Sequence, residues 1–232
     1  MPAMTDPGRD KRRRIVRLFA TRAALPIATA LAVPRLRSAW AGLPILELAT
    51  WMVAEALAEN EVANQIAGDS TQDRGTRHLM VGSHMIAWWA PLVEGGARSA
   101  APPSRTALAV GTIVTLAGAA MRISAVRTLG KDFTGYVHVK QGQPVCETGL
   151  YRHIRHPSYV GLFFLNVGPS ITLRAWWSVP VVAACTAAAV TQRVRAEEDH
   201  LVGVIGQPYA VYLAATPRFI PAPLRRLQNE RR

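Results

Sequence analysis

The sequence predicts an all-α fold: a multi-pass transmembrane helical bundle of about six spans, with its chemistry in a cytoplasmic-side loop and a C-terminal helix. Three observations lead there. Half of the 232 residues are hydrophobic and only 18% are charged, whereas an average soluble domain is about a quarter charged. Lys and Arg outnumber Asp and Glu by 27 to 15, a net charge of +12, yet the mean hydropathy is positive, so the charges must be segregated into connectors. Uncharged apolar stretches do alternate with short charged segments along the chain. A soluble nucleic-acid-binding domain would pair such a basic excess with a more polar composition, and disorder, collagen and coiled coil are excluded by the same composition. Two cysteines, Cys146 and Cys185, make neither a disulfide framework nor a four-thiolate zinc site.

The expected spans are 15–33, 41–59, 78–94, 106–126, 157–173 and 175–192. A span needs about 20 mostly apolar residues to cross about 30 Å of hydrocarbon, and 106–121 and 175–192 approach that without a charge. The stretch 157–173 is also uncharged, but Pro157, Gly161, Gly168 and Pro169 predict an irregular or broken helix, tolerable where protein or a cavity covers the backbone. The first two spans carry Arg17 and Arg22, and Glu47 and Glu55, respectively; intramembrane carboxylates point to function by default. The chain accordingly divides into a basic tail with a first helix (1–40), helices 2 and 3 (41–104), a core (105–222) and a basic tail (223–232).

Positive charge sets the orientation, because Lys and Arg collect in cytoplasmic loops. Six spans put both termini inside, together with Arg9, Lys11 to Arg14, Arg74, Arg77, Arg127, Lys131, Lys140, Arg152, Arg155, Arg193, Arg195 and the tail from Arg218 to Arg232. The outer side keeps Arg35, Arg37, Arg98, Arg105 and Arg174. Trp40, Trp88, Trp89, Trp176 and Trp177 fall near predicted outer ends, where interfacial aromatics collect, while Trp51 falls at mid-membrane. The first helix also has features of a signal peptide, although Arg35 and Arg37 interrupt the approach to any cleavage site at Ala39-Trp40-Ala41. An amphipathic helix lying on the membrane is the third reading of this segment.

The segment from Arg127 to Pro157 is too polar to span. Alternation over Tyr136 to Val139 predicts an extended piece, and Gly142, Pro144 and Gly149 read as turns. Pro157 suits the first helical position and biases His156 out of the helix, so the exposed amides of this helix start form an anion site at the membrane surface. The fifth and sixth spans make a tight hairpin around Arg174, returning Arg193, Glu197 and Glu198 to the same side. Arg193 and Glu197, four apart, share a helix face. Beyond them Leu201 to Pro221 reads as a short amphipathic segment, a lid, whose Tyr209 and Tyr212 are read as interfacial anchors. His153 and His156 have no third ligand nearby, so no metal is expected. Each constellation also has a plainer reading: a solvated helix end for Arg193 with Glu197 and Glu198, and a lipid-headgroup patch for Arg152 to His156.

Taken together, Gly149-Leu-Tyr151-x-x-x-Arg155-His156-Pro157-Ser158-Tyr159-x-Gly161, a hydrophobic hairpin, Arg193-x-x-x-Glu197-Glu198-x-x-Leu201, Gly206-x-x-Tyr209-x-x-Tyr212 and Ile220-Pro221 resemble the isoprenylcysteine carboxyl methyltransferase family over about residues 105–222. The Asp73-Arg74-Gly75 loop looks like bacterial members, as does the Ala- and Arg-rich usage, which places the chain in a bacterial cell membrane. The resemblance implies S-adenosylmethionine bound without a Rossmann domain, and no glycine-rich strand–turn–helix fingerprint occurs. It implies cofactor contacts from Gln141, or Lys140 in its place, from Gln143, Pro144, Val145 and Cys146, from Tyr151, from His156, Pro157, Ser158 and Tyr159, and from Glu197. It implies that Arg193 holds the acceptor's carboxylate, with Arg193 and Glu197 as the catalytic pair.

The chemistry agrees with that pattern. A sulfonium donor with a zwitterionic tail needs a carboxylate and aromatic faces for its cation, and an anion site for its own carboxylate. A free carboxylate acceptor, which ordinarily titrates near about 3.5, is already ionised and needs no general base. Arg193 can grip it bidentately while apolar walls exclude water. The expected activity is carboxyl O-methylation of a lipophilic substrate, a small molecule or prenylated peptide, in contact with membrane lipid and without nucleic acid. Two alternatives stay open: a phospholipid or lipid-amine N-methyltransferase, in which His153 or Glu198 removes the ammonium proton, and a non-catalytic protein that binds anionic lipid or a partner.

Overall fold

The computed structural model describes residues 49–51, 74–97, 104–133 and 142–221. Among these, every regular element is helical and there is no strand. Five helices follow in order: α1 (Thr76–Ala97), α2 (Arg105–Leu129), α3 (Pro157–Thr172), α4 (Ser178–Ile205) and α5 (Gln207–Ala215), with single 3-10 turns at Gly130–Asp132 and Gly149–Arg152. Residues 49–51 are also helical. The span expected at 15–33, nearly all of that at 41–59 with Glu47 and Glu55, the tryptophan at 40, the extended piece at 136–139, Lys140, Gln141 and the tail 223–232 lie outside the described residues.

The expected spans 78–94, 106–126, 157–173 and 175–192 correspond to α1 to α4. Among the described residues one helix, α2, is both long and apolar enough to cross a membrane. Six spans are therefore more than the described helices establish. With 16 residues, α3 is about 24 Å long at 1.5 Å per residue, short of a full span. At 28 residues, α4 runs well past its expected end and carries Arg193 to Asp199 on the same rigid rod as the apolar stretch.

Local chemistry sets the helix ends. Ser104 caps α2 by accepting the Ala107 N–H at 3.4 Å. Pro157 opens α3 at its first turn, where a missing N–H costs nothing. The start of α4 is capped from outside its own sequence. Glu94 of α1 accepts the backbone N–H of Ser178 at 2.8 Å and of Trp177 at 3.2 Å, and the Ser178 hydroxyl at 2.8 Å, placing a carboxylate at the positive end of the helix. The expected hairpin is present: Arg174, at φ +54°, turns the chain between α3 and α4. Gly206, at φ +74°, makes the sharp corner into α5 that an L side chain resists.

The principal helix pair is α2 with α3. Gly111 and Gly118 of α2 face Gly161 and Gly168 of α3, and a Cβ added to Gly118 would lie 2.5 Å from the Leu165 nitrogen and 2.6 Å from the Gly161 carbonyl oxygen. Small residues let two helix backbones approach this closely. The broken helix expected at 157–173 is corrected: α3 runs unbroken from Pro157 to Thr172. Its two glycines, seven residues apart, fall on one face and serve packing rather than interruption.

Around this seam Trp51, Trp88, Ala119, Leu162 and Leu165 form a buried cluster, in which Trp51 meets Trp88 and His84 edge-on, with ring centroids 6.1 and 5.3 Å apart. Trp88, expected at the outer interface, is thus a core residue, because it faces Trp51 and the seam. Trp176 and Trp177 at the α3–α4 turn are exposed, the latter by 75%. Outward-facing apolar side chains on α2 (Val110, Ile113, Leu116), on α3 (Phe164) and on α4 (Val181) continue the surface that a hydrocarbon environment would cover.

Candidate active site

The polar ends of α3 and α4 meet below α5, enclosing a cavity. Leu129, Asp132 and Phe133 from the end of α2 form one wall, Gln143 to Cys146 and Tyr151 a second, His156, Ser158 and Tyr159 a third, and Glu197, Leu201, Ile205, Tyr209 and Tyr212 the fourth. Of the residues expected at the cofactor, Gln143, Pro144, Val145, Cys146, Tyr151, His156, Ser158, Tyr159 and Glu197 therefore share one space. Pro157 is fully buried and does not line it. Arg193 does not line it either.

The adjacent carboxylates Glu197 and Glu198 have different surroundings. Glu197 lines the cavity and accepts the Tyr159 hydroxyl at 2.9 Å. Glu198, 4% exposed, turns the other way. Its Oε1 accepts Arg155 Nε at 3.0 Å and Arg218 Nε at 3.3 Å and lies 3.0 Å from His156 Nε2, while its Oε2 accepts Arg218 Nη2. Burial alone would raise its pKa, but the hydrogen bonds from His156, Arg218 and Arg155 outweigh it and pull the carboxyl down to about 2. Such a carboxylate is a poor proton acceptor, which removes Glu198 as the base considered for amine methylation. His153, the other candidate, is exposed and absent from the cavity wall. Among the described residues no group of metal-ligating side chains forms.

The Glu198 clasp also ties down the chain after α5. The backbone N–H groups of Arg155 and His156 donate to the carbonyls of Pro217 (2.9 Å) and Arg218 (3.2 Å), and Arg155 Nη1 donates to the carbonyls of Leu213 (2.8 Å) and Thr216. Tyr212 donates to the Tyr151 carbonyl at 2.6 Å. Tyr209 and Tyr212 are buried, 4% and 6% exposed. Their expected role as interfacial anchors is corrected to that of cavity wall, since Gly206 folds α5 back over the site. Burial, and secondly the charge of Glu197, push the Tyr151 phenol above its ordinary value, so it stays a neutral hydroxyl.

Arg193 stands behind Tyr159. It is 3% exposed, donates from Nε to the Tyr159 hydroxyl at 3.3 Å and from Nη1 to the Thr76 hydroxyl at 3.1 Å. The Tyr159 hydroxyl is thus the junction between Glu197 in the cavity and Arg193 outside it. Sequence reasoning missed three polar participants. Arg122, buried in α2, donates from Nη1 to the Ser158 hydroxyl at 2.8 Å; a lone cation within an apolar span was its available signal. Thr76 and Arg218 had no local signal, because only the tertiary fold brings them to α4.

With this geometry established, comparison with known proteins gives a consistent result. Residues 109–203, from α2 through most of α4, match the model of the isoprenylcysteine carboxyl methyltransferase family. Among similar proteins are the protein-S-isoprenylcysteine O-methyltransferases of Tribolium castaneum (32% identical over 48% of this chain and 41% of the relative), Schizosaccharomyces pombe (31%, over 45% of each) and Dictyostelium discoideum (32%, over 48% of each). The chain spans less than half the length of these relatives.

Proposed function

We propose that the chain is an integral-membrane, S-adenosylmethionine-dependent methyltransferase that esterifies the carboxylate of a lipophilic acceptor, such as a C-terminal S-isoprenylcysteine. The observation that carries this reading is the Tyr159 hydroxyl shared between Glu197 and Arg193: a site for a cation and a site for an anion meet at one atom. The relatives' name, which specifies a prenylated cysteine, supports the acceptor class. The alternation of apolar and charged stretches along the sequence is the ground for a multi-pass placement with the cavity and both termini on the cytoplasmic side.

The cavity's chemistry fits a sulfonium compound with a zwitterionic tail. Glu197 supplies a carboxylate, while Tyr151, Tyr159, Tyr209 and Tyr212 supply aromatic faces that attract a cation. Ser158 at the start of α3 offers a hydroxyl and helix-end polarity to an anion. When bound, this donor supplies an electrophilic methyl group. Arg193 holds the acceptor's carboxylate, which is ionised at neutral pH and requires no proton transfer. Burial of Arg193 strengthens its grip by excluding water. An amine acceptor would instead require a base, and Glu198 is pinned by Arg155, Arg218 and His156.

Incubation with labelled donor and a farnesylated cysteine analogue should yield a base-labile methyl ester. Absence of transfer to any lipophilic carboxylate sinks the acceptor assignment, and an alkali-stable product points to N-methylation. By calorimetry on detergent-solubilised protein, Glu197→Ala should abolish donor binding while Arg193→Ala spares it and removes turnover. Loss of donor binding in both variants overturns this division of roles, and no donor binding by the unaltered chain points to a non-catalytic protein.

A further inference from the structure

The turn ahead of α1 has no part in the reading above, yet it docks on the catalytic stretch of α4 at two points. Arg74, at φ +47°, and Gly75, at φ +74°, form a left-handed turn whose carbonyl at Gly75 accepts the His78 N–H at 3.1 Å. Arg74 Nη1 donates to Asp199 at 2.9 Å. Two residues on, Thr76, the first residue of α1 and 4% exposed, accepts Arg193 Nη1 at 3.1 Å. The turn thus reaches α4 on either side of Glu197 and Glu198.

A guanidinium is a planar fork, and the direction of its edges decides where a carboxylate can be gripped. A flexible side chain does not fix that direction by itself. Here Tyr159 of α3 takes Nε and Thr76 of α1 takes Nη1, so two helices orient an arginine rooted on a third. Both are hydroxyls, which orient a cation without neutralising its charge. The two contacts differ in one respect. Tyr159 lines the cavity and bonds Glu197, whereas Thr76 lies off the cavity wall and reaches the site through Arg193.

We propose that Thr76 is a positioning residue for acceptor binding, and that the Arg74–Gly75 turn exists to present its hydroxyl to Arg193. The proposal rests on the reading of Arg193 as the acceptor's anchor. It predicts a separation that a merely structural threonine would not show: loss of the hydroxyl weakens the acceptor and leaves the donor untouched.

The test compares Thr76→Val, which keeps the shape and removes the hydroxyl, with Thr76→Ser, which restores it. Binding of a farnesylated cysteine analogue and of its carboxamide, together with binding of the donor, would be measured by calorimetry on the full-length detergent-solubilised chain. Thr76→Val should weaken the carboxylate on the order of tenfold, leave the carboxamide and donor unchanged, and raise the acceptor KM with little change in kcat. Thr76→Ser should recover near-native values. Unchanged carboxylate affinity in Thr76→Val, equal weakening of donor and acceptor, or failure of Thr76→Ser to rescue overturns the proposal while leaving Arg193 as anchor. If the unaltered protein binds no lipophilic carboxylate, the function and this inference fall together.

Discussion

The α2–α3 seam and the polar cluster at the ends of α3 and α4 secure the same helix by opposite means. Along the seam α3 is held by what its sequence omits: without side chains at Gly161 and Gly168, the backbone of α2 comes within direct contact. At its first turn α3 is held by an excess of polar groups, with Arg155, His156 and Arg218 gathered on one buried carboxylate. Packing of small residues tolerates no added atom and is indifferent to pH. A charge cluster has more room to adjust, but losing one partner strands the others in a medium of low polarity. The comparison explains why two adjacent glutamates diverge. Glu198 serves the clasp, and Glu197, bonded to a single tyrosine among the hydrogen bonds described, faces the cavity.

The largest expected effect comes from breaking the clasp. Glu198→Ala should destabilise the protein by about 3 kcal/mol or more, read as a fall in unfolding temperature in detergent; a change within error would mean that Arg155, Arg218 and His156 find other partners. Acid attacks the same point. Glu198 is held at about 2 against about 4.3 for an unfolded glutamate, so its contribution is complete above about 4.3 and disappears as pH falls towards 2. Glu198→Gln should flatten that part of the stability profile, and an identical profile would assign the acid sensitivity elsewhere.

Breaking the seam comes next. A Cβ at Gly161 would lie 2.6 Å from the Arg122 nitrogen, so Gly161→Ala should cost about 1 to 3 kcal/mol. The same exchange at Gly203, where a Cβ meets nothing within 4 Å, should stabilise by up to about 1 kcal/mol through helix propensity. Equal signs at the two positions would show that close approach is not what the seam glycines provide. The smallest effect belongs to Arg74→Ala. Its ion pair with Asp199 is 66% and 60% exposed, which limits the stability change to about 0.5 kcal/mol, detectable only by paired unfolding curves.

Much of the site was legible because its residues are close in sequence or at helical spacing. Gln143 to Cys146, Tyr151, His156, Ser158, Tyr159 and Glu197 line one cavity, whereas Pro157 and Arg193 stand outside it. The cavity-wall positions of Tyr209 and Tyr212 are not legible in the sequence, because amphipathic spacing is the same for a membrane anchor and a cavity wall. The irregular or broken helix expected at 157–173 differs from the continuous α3 for a similar reason: glycine reads as a breaker in one dimension and as a contact surface once a second helix is present.

The sequence by itself determined the helical class and the order of the apolar stretches, because hydropathy acts locally along the chain. Only the tertiary structure decided which glutamate faces the cavity, which hydroxyls orient Arg193, and that Glu94, Thr76, Arg122 and Arg218 cap or brace elements far from them in sequence. Those choices depend on the rotation of each helix about its axis. That rotation is set by the close approach of α2 to α3 and by the buried charges that must find partners, both of which exist only after the helices meet.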